Sequence, residues 1–138
     1  MNQIYILDAC ALLAVLTDEP GADSMRRLFG DAASGKINLV MQKLNLLEVY
    51  YDLLRRFGIG AMTNFSSEIQ RSSLYINSVI SDAVFLEAGR LKVSYKISLA
   101  DSIALAEASV QDAALVTCDH HEFDVIEKNE PIKFKWIR

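Results

Sequence analysis

The sequence predicts an α/β fold in which a central parallel sheet is covered by helices on both faces. Short apolar runs alternate with segments of helical periodicity, and this alternation predicts the α/β class. The chain of 138 residues has the length of one domain. Its composition, with 51% hydrophobic and 23% charged residues, is that of a globular protein. Strands that alternate with helices require right-handed crossovers, which make the strands parallel. We therefore expect residues 1–138 to form a single domain.

The first half of the chain is predicted to contain two strands and four helices. The apolar run Ile4–Leu7 is typical of a buried strand. The turn residues Asp18–Gly21 end the first helix, Gly30 ends the second, and Gly58 with Gly60 ends the third. In chain order the elements are strand Ile4–Leu7, helices Cys10–Leu16 and Ala22–Phe29, strand Ile37–Met41, and helices Leu44–Phe57 and Thr63–Arg71.

The second half is predicted to continue the alternation with three strands and three helices. Ser81 is a candidate N-cap for the helix that follows it, because a serine side chain can accept a hydrogen bond from a free backbone N–H of the first turn. In chain order the elements are strand Leu74–Val79, helices Asp82–Tyr95 and Leu99–Val110, strand Ala114–Thr117, helix His121–Glu127 and strand Ile132–Ile137.

Four acidic residues are placed at one end of this predicted sheet. Asp8 and Asp119 follow strands, Asp101 begins the helix that leads to the fourth strand, and Glu48 lies early in the helix after the second strand. Each has an ordinary explanation: the three aspartates can cap helices or turns, Asp101 with Ser98 resembles a capping box, and Glu48 belongs to a polar stripe. Capping does not require the four to converge, whereas a metal site does.

Clustered carboxylates favour a particular chemistry. Without a cation they repel one another and their pKa values rise. Their hard oxygen atoms select Mg²⁺ or Mn²⁺ rather than Zn²⁺. One or two such ions can activate a water and stabilise the charge of a phosphoryl transition state. The pattern therefore predicts metal-dependent phosphodiester hydrolysis.

Four short motifs, in this order and spacing, make the sequence similar to the PIN-domain family, and within it to VapC-type toxins of toxin–antitoxin pairs. The resemblance covers nearly the whole chain. The motifs are Ile6-Leu7-Asp8-Ala9-Cys10-Ala11-Leu12-Leu13, Asn45-Leu46-Leu47-Glu48-Val49, Leu99-Ala100-Asp101-Ser102-Ile103-Ala104-Leu105-Ala106 and Leu115-Val116-Thr117-Cys118-Asp119.

This resemblance implies a three-layer α/β/α sandwich and RNA cleavage dependent on Mg²⁺ or Mn²⁺. It implies that Asp8, Glu48, Asp101 and Asp119 are the metal ligands, and that the hydroxyl of Thr117 lies beside the metal. It also implies a homodimer and an antitoxin protein that covers the acidic cleft.

Two positions depart from the pattern of this family. Ser, Thr or Asn is usual at one or both positions after the first Asp, where this chain has Ala9 and Cys10. A side chain that would orient Asp8 or hold a metal-bound water is then missing. The departure favours an alternative function, a PIN-fold module that binds RNA or protein with little or no catalysis. Independently of the family, Asn45 lies one helical turn before Glu48 and is a candidate to hydrogen-bond an acid or a substrate phosphate.

The remaining features favour a cytoplasmic protein. No secretory signal and no run of about 18 apolar residues is visible, so no membrane span is expected. Cys10 and Cys118 are expected to be reduced thiols. A zinc site formed by these cysteines with His120 and His121 is an alternative, but adjacent histidines rarely bind one ion.

Charge and aromatic residues leave two further alternatives. The net charge of −4 argues mildly against nucleic-acid binding, unless divalent cations fill the acidic pocket and basic residues flank it. The candidate basic patch comprises Arg55, Arg56, Arg90, Lys92 and Lys96. A core position is expected for Tyr50, Tyr51, Phe57 and Phe65, whereas exposure of Tyr51 with Phe57 indicates a dimer or antitoxin surface.

Two other classes of α/β protein fit the sequence less well. A phosphorylated receiver domain needs an acidic pair after the first strand, where this chain has Asp8 alone. A phosphatase of the haloacid-dehalogenase type needs a second aspartate at the position of Cys10.

Overall fold

The computed structural model describes residues 2–138, which form five strands and seven helices. The strands are β1 (Gln3–Leu7), β2 (Ile37–Gln42), β3 (Leu74–Asn77), β4 (Ala114–Thr117) and β5 (Lys133–Trp136). The helices are α1 (Ala9–Leu16), α2 (Ala22–Ala33), α3 (Lys43–Phe57), α4 (Gly60–Arg71), α5 (Asp82–Ser94), α6 (Leu99–Val110) and α7 (His120–Asn129).

The five strands form one parallel sheet in the order β3-β2-β1-β4-β5. The central strand β1 pairs with β2 on one side and β4 on the other, so that Leu7 lies opposite Val116. All carboxyl ends therefore meet at one edge, where ligands bind in sheets of this kind. The predicted α/β fold with a parallel sheet is confirmed.

Side chains that alternate along the strands pack into two separate hydrophobic cores. Leu7 and Val116 pack with α1, α2, α3 and α4, whereas Ile6 and Leu115 pack with α5, α6 and α7. This alternation follows from the two-residue period of a strand. It gives three layers, with helices on both faces of the sheet, as predicted.

Glycines account for the main differences between the predicted and observed helix ends. Gly30 does not end α2, which continues to Ala33 and ends before Gly35, where φ is +80°. Gly58, also at φ +80°, ends α3 as predicted, but Gly60 begins α4. Only a positive φ requires the freedom of glycine, and the sequence does not show which glycines adopt one.

Other boundaries differ by a few residues. The third strand is shorter than predicted and ends at Asn77. The last helix extends to Asn129. Ser81 caps α5 as expected, since its Oγ accepts a hydrogen bond from the N–H of Val84 at 3.2 Å. The longest helix has 15 residues, and within residues 2–138 no helix is both long and apolar enough to cross a membrane.

The aromatic residues of α3 and α4 do not share one environment. Phe65 is buried and Tyr50 packs against the core. The core position expected for Tyr51 and Phe57 is wrong, because these side chains are 43% and 58% exposed. They lie on the exposed side of α3. The apolar composition of this helix did not indicate that these two side chains face solvent.

Candidate functional site

Two of the four predicted acids project from neighbouring strands. Asp8 follows β1 directly, and Asp119 follows β4 after one intervening residue. Because β1 and β4 pair in parallel, both acids leave the same edge of the sheet. Each also caps the next helix: Asp8 Oδ1 accepts from Ala11 N at 2.9 Å, and Asp119 Oδ1 accepts from Glu122 N at 3.2 Å. Capping thus orients these carboxyl groups without excluding a second role.

The other two acids lie on helices that are tied together beside the sheet. Glu48 lies on α3, and Asp101 lies in the first turn of α6, where its N–H donates to Ser98 Oγ at 3.1 Å. The side chain of Asn45 donates from Nδ2 to the carbonyl of Ala100 at 2.9 Å. This buried hydrogen bond joins α3 to the start of α6 and brings Glu48 toward Asp101.

All four acids line one pocket of about 460 Å³ at the carboxyl edge of the sheet. Two further carboxylates, Glu19 and Asp52, and one basic side chain, Arg56, also line it. The remaining lining residues are Ala9, Cys10 and Leu13. Acids scattered along the sequence therefore converge, which helix capping alone does not require.

Burial raises the pKa values of three of these acids, and for two of them the charges of neighbouring carboxylates add to it. Asp8 is 2% exposed, and burial, reinforced by the charges of Asp101 and Asp119, raises its pKa to about 7. Burial and the neighbouring charge of Glu48 raise the pKa of Asp101 to about 6. The pKa of Glu48 is also raised by partial burial. A cation in the pocket would reverse these shifts by stabilising the ionised carboxylates.

Thr117 connects the two acids at the strand ends. Its side chain is fully buried, and its Oγ1 accepts a hydrogen bond from Asp119 N at 3.1 Å. A hydrogen bond between the Thr117 side chain and Asp8 opposes the rise in the pKa of Asp8. The hydroxyl is therefore placed to orient Asp8 relative to Asp119.

Asn45 donates to a backbone carbonyl, whereas the sequence suggested an acid or a substrate phosphate as its partner. Its Nδ2 contacts the backbone of Ala100 rather than an acid. Its side chain is fully buried, and its Oδ1 has no hydrogen-bond partner among residues 2–138. The contact assigns Asn45 to the packing of α3 on α6.

The expectation of two reduced thiols is wrong. Cys10 and Cys118 form a disulfide with Cα atoms 6.1 Å apart. They follow the adjacent strands β1 and β4, so the fold brings them together despite a sequence separation of 108 residues. The bond links the segments that carry Asp8 and Asp119.

The structure contradicts the zinc alternative. Both cysteine sulfurs are used in the disulfide, and the ring nitrogens of His120 contact Asp124 Oδ1 and the carbonyl of Arg138, each at 2.8 Å. The ring of His120 also stacks on Trp136, with centroids 3.8 Å apart. His120 is thus fixed in contacts that leave no nitrogen for a metal.

The predicted basic patch does not line the acidic pocket as a group. Arg90 pairs with Glu87 and Glu130, while Lys92 donates to the carbonyl of Ile97. Of the five predicted basic residues, only Arg56 lines the acidic pocket. Helical spacing gives neighbours along one helix, but it does not show which helices share a face.

Two acids of the pocket, Glu19 and Asp52, are additional to the four candidate metal ligands of the sequence. Glu19 was assigned to a turn, and no local pattern distinguishes it from a surface acid. Asp52 lies one turn after Glu48 and both pairs with Arg56 and lines the pocket. Asp52 shares the polar stripe of α3 with Glu48, and this common face is the signal in the sequence that could have found it.

The donor set of this pocket fits Mg²⁺ or Mn²⁺. Within residues 2–138, no three Asp, Glu, His or Cys side chains are arranged closely enough to hold an ion directly. Mg²⁺ retains several waters and takes only one or two carboxylates, so a pocket with spaced carboxylates suits a hydrated ion. Burial, and to a smaller extent the neighbouring carboxylates, raises the pKa values of Asp8 and Asp101 by disfavouring their ionised forms, which a divalent cation would stabilise.

The sequence matches the family model of the PIN domain over residues 5–129. No curated protein matches the chain by sequence.

Several solved structures share the fold at low sequence identity. VapBC2 from Rickettsia felis, bound to a DNA fragment from its promoter, gives a TM-score of 0.73 at 18% identity and covers 97% of this chain and 98% of that one. DNA-bound VapBC from Salmonella typhimurium gives 0.72 at 12% identity, with both chains covered completely. VapC20 from Mycobacterium tuberculosis, a toxin that cleaves the sarcin–ricin loop, gives 0.67 at 13% identity and covers 88% and 94%.

Proposed function

The chain belongs to the PIN-domain family, and from this premise we propose that it is a metal-dependent endoribonuclease, the toxin of a toxin–antitoxin pair. One observation carries the proposal. Carboxylates from four separate segments, Asp8, Glu48, Asp101 and Asp119, line a single pocket at the carboxyl edge of the sheet. The proposed substrate is an RNA phosphodiester, which the resemblance to VapC-type toxins implies, and a pocket of this charge admits its phosphate only together with cations.

The four acids are proposed to hold Mg²⁺ or Mn²⁺, directly or through waters. When bound, the ion supplies positive charge to the scissile phosphate and lowers the pKa of a water. The Thr117 hydroxyl orients Asp8, and the N–H of Ala11 fixes one oxygen of the same carboxyl. The chain thereby holds the Asp8 carboxyl in a fixed arrangement before the substrate arrives.

An antitoxin is the proposed protein partner. The Rickettsia felis and Salmonella typhimurium structures that share this fold are VapBC assemblies. A basic segment of a partner would neutralise the carboxylates of the pocket, because opposite charges across an interface favour association. We therefore expect the antitoxin to cover the acidic pocket and to inhibit cleavage.

A homodimer is proposed on the basis of an exposed apolar surface. Leu47, Tyr51, Phe85, Leu86 and Leu99 are between 43% and 70% exposed. They surround an apolar pocket of about 380 Å³ and a smaller one that reaches Glu48. An apolar surface of this kind usually marks an interaction site, and the resemblance to VapC-type toxins points to a second copy of the chain.

Light scattering tests the homodimer. Leu86→Glu is expected to give monomers, because it places a charge in the apolar surface. Val93→Glu is the matched control, since Val93 lies on the same helix and is 90% exposed outside the apolar pocket. A dimer that survives Leu86→Glu, or a wild-type monomer, contradicts this interface.

We place the nuclease in the cytoplasm, where RNA is available. The disulfide between Cys10 and Cys118 is unusual for that compartment. Trapping of free thiols in intact cells measures whether the pair is oxidised there.

Cleavage of a fluorogenic RNA with Mg²⁺ or Mn²⁺ tests the catalytic proposal. Asp8→Asn and Asp101→Asn are each expected to lower the rate by orders of magnitude. Asp112→Asn is the control: Asp112 is exposed, pairs with Lys133 and has φ of +51°, which asparagine tolerates. Cleavage that persists in both pocket variants, or that needs no divalent ion, contradicts the proposal.

A second candidate function is a PIN-fold module that binds RNA or protein with little or no catalysis. The observation that favours it is the segment after Asp8, where Ala9 has no polar side chain and Cys10 is used in a disulfide. Neither residue can orient Asp8 or a metal-bound water. RNA binding by the wild type without cleavage, at all metal concentrations, supports this alternative.

A further inference from the structure

We propose that Arg56 binds a phosphate of the RNA next to the one that is cleaved, with Asp52 holding the guanidinium in position. The inference rests on the proposed ribonuclease function. It assigns a substrate-binding residue to the rim of the acidic pocket.

The charge of the pocket wall is the first argument. Six of its lining residues carry carboxyl groups, namely Asp8, Glu19, Glu48, Asp52, Asp101 and Asp119, and Arg56 is the basic one. A divalent ion at the four central acids leaves no surplus positive charge for a second phosphate. RNA carries a charge at every nucleotide, so the neighbouring phosphate needs a second positive group. Arg56 is the lining residue that supplies it.

The position of Arg56 on α3 selects the neighbouring phosphate rather than the scissile one. Arg56 lies in the last turn of α3, eight residues after Glu48. Their backbone positions are about 12 Å apart along the helix axis. The guanidinium reaches back one turn to Asp52, so it lies in the same pocket as the four acids but on a more exposed part of the wall than Asp8.

The contacts of Arg56 leave it able to bind a phosphate. Its Nη2 is 2.7 Å from Asp52 Oδ2, while its Nη1 is 3.9 Å from Glu19 Oε2, beyond hydrogen-bond distance. A guanidinium has five N–H donors. Since the side chain is 38% exposed, donors remain available to solvent. Asp52 fixes one side of the group, and the planar fork suits two phosphate oxygens.

The negative charge of Glu19 is not available to Arg56 alone. The other oxygen of its carboxyl group, Oε1, is 3.6 Å from Nη1 of Arg138, whose guanidinium also donates to the carbonyl of Pro20. Glu19 is thus shared between two arginines. The rim of the pocket near Arg56 is less negative than its floor.

The neighbouring residue Arg55 provides a matched control. It carries the same charge on the same helix, and the two guanidinium groups share one kind of contact, Arg55 over the ring of Tyr51 and Arg56 over that of Phe57, each with Cζ 5.5 Å from the centroid. It does not line the acidic pocket. A general effect of net charge on RNA binding should appear equally in Arg55→Gln and Arg56→Gln.

The test measures binding of a fluorescent RNA stem-loop with Ca²⁺ in place of Mg²⁺ or Mn²⁺, at several salt concentrations. Arg56→Gln is expected to weaken binding about tenfold and to lower the slope of log affinity against log salt by about one. Arg56→Lys should lie between Arg56→Gln and the wild type, and Arg55→Gln should resemble the wild type. With Mn²⁺ and cleavable RNA, Arg56→Gln should raise KM more than it lowers kcat.

A second measurement separates substrate binding from damage to the pocket. Mn²⁺ affinity, measured by calorimetry, should be no weaker in Arg56→Gln than in the wild type, because removal of a cation does not disfavour another. Loss of Mn²⁺ affinity would indicate a structural role and overturn the assignment.

RNA affinity that is equal in Arg56→Gln and the wild type, or that falls equally in Arg55→Gln, also overturns it. If wild-type cleavage persists in these cases, the proposed function stands without this residue, whereas a wild type that neither binds nor cleaves RNA contradicts both.

Discussion

Asn45 and Ala100 join the two helices that carry Glu48 and Asp101. The side-chain Nδ2 of Asn45 donates to the Ala100 carbonyl at 2.9 Å, and the asparagine is fully buried. The contact fixes the start of α6 against α3. The separation of the two carboxylates therefore depends on a residue that does not line the pocket.

Asn45→Ala is expected to lower both stability and metal affinity. The substitution leaves the Ala100 carbonyl without this donor in a buried position, which costs about 1–3 kcal/mol of the free energy of unfolding. It also releases α3 from α6, so Mn²⁺ affinity should fall. Urea unfolding and calorimetry measure the two effects. The exposed Asn64→Ala on α4 is the control, and unchanged Mn²⁺ affinity in Asn45→Ala would contradict the positioning role.

The metal-free protein is expected to lose stability as the pH rises from about 4 to about 7. Asp8 has a pKa near 7 in the folded chain, against about 4 when unfolded, so the folded state binds the extra proton in this range. Stability is highest below the unfolded pKa, falls through the range and levels off above the folded pKa. The loss from Asp8 alone is at most about 4 kcal/mol. The raised pKa of Asp101, about 6, acts in the same direction.

Urea unfolding in EDTA at several pH values measures this loss. Asp8→Asn should flatten the dependence, because the amide does not titrate. Mn²⁺ should restore stability most strongly above pH 7, where the carboxylates are ionised. A metal-free wild type whose stability is constant or rises over this range contradicts the explanation.

Reduction of the disulfide is expected to lower the free energy of unfolding by about 2–4 kcal/mol. Cys10 and Cys118 are 108 residues apart, so the bond restricts most of the unfolded chain. Denaturation with and without dithiothreitol measures the difference. The double variant Cys10→Ser, Cys118→Ser should be as stable as the reduced protein and insensitive to the reductant. Equal stability of the oxidised and reduced wild type would argue against the bond.

The parallel sheet and the common edge of the acids could be predicted because they follow from local patterns. Asp8 directly follows the apolar run that forms β1, and Asp119 follows the run that forms β4 after one residue. In a parallel sheet, carboxyl ends share an edge whatever the order of the strands. This explains why the convergence of these acids did not depend on knowing the topology.

The disulfide and the rim of the pocket could not be predicted because they depend on the strand order. Cys10 meets Cys118 only because β1 and β4 are neighbours in the order β3-β2-β1-β4-β5. Glu19 reaches the pocket from the turn after α1, and its approach to Arg56 joins segments far apart in sequence. Contacts of this kind have no periodicity that a single sequence displays.

Glu107 is a buried carboxyl on α6 whose hydrogen-bond partners include three side-chain amides. It is 2% exposed and accepts hydrogen bonds from Gln42 Nε2 at 3.4 Å, from Asn77 Nδ2 at 3.1 Å and from Gln111 Nε2. These amides come from the ends of β2 and β3 and from the end of α6. The carboxyl therefore ties α6 to the carboxyl ends of β2 and β3, which lie on the other side of β1 from β4.

Removal of Glu107 should be costlier than its neutralisation. Glu107→Ala leaves amide donors unpaired and a cavity, so we expect a loss of about 2–4 kcal/mol in the free energy of unfolding. Glu107→Gln keeps one acceptor oxygen and should lose about half as much or less. Urea unfolding compares the two with Glu68→Ala, an exposed control on α4. Equal losses in Glu107→Ala and Glu107→Gln would show that charge, rather than the pairing of amides, explains this carboxyl.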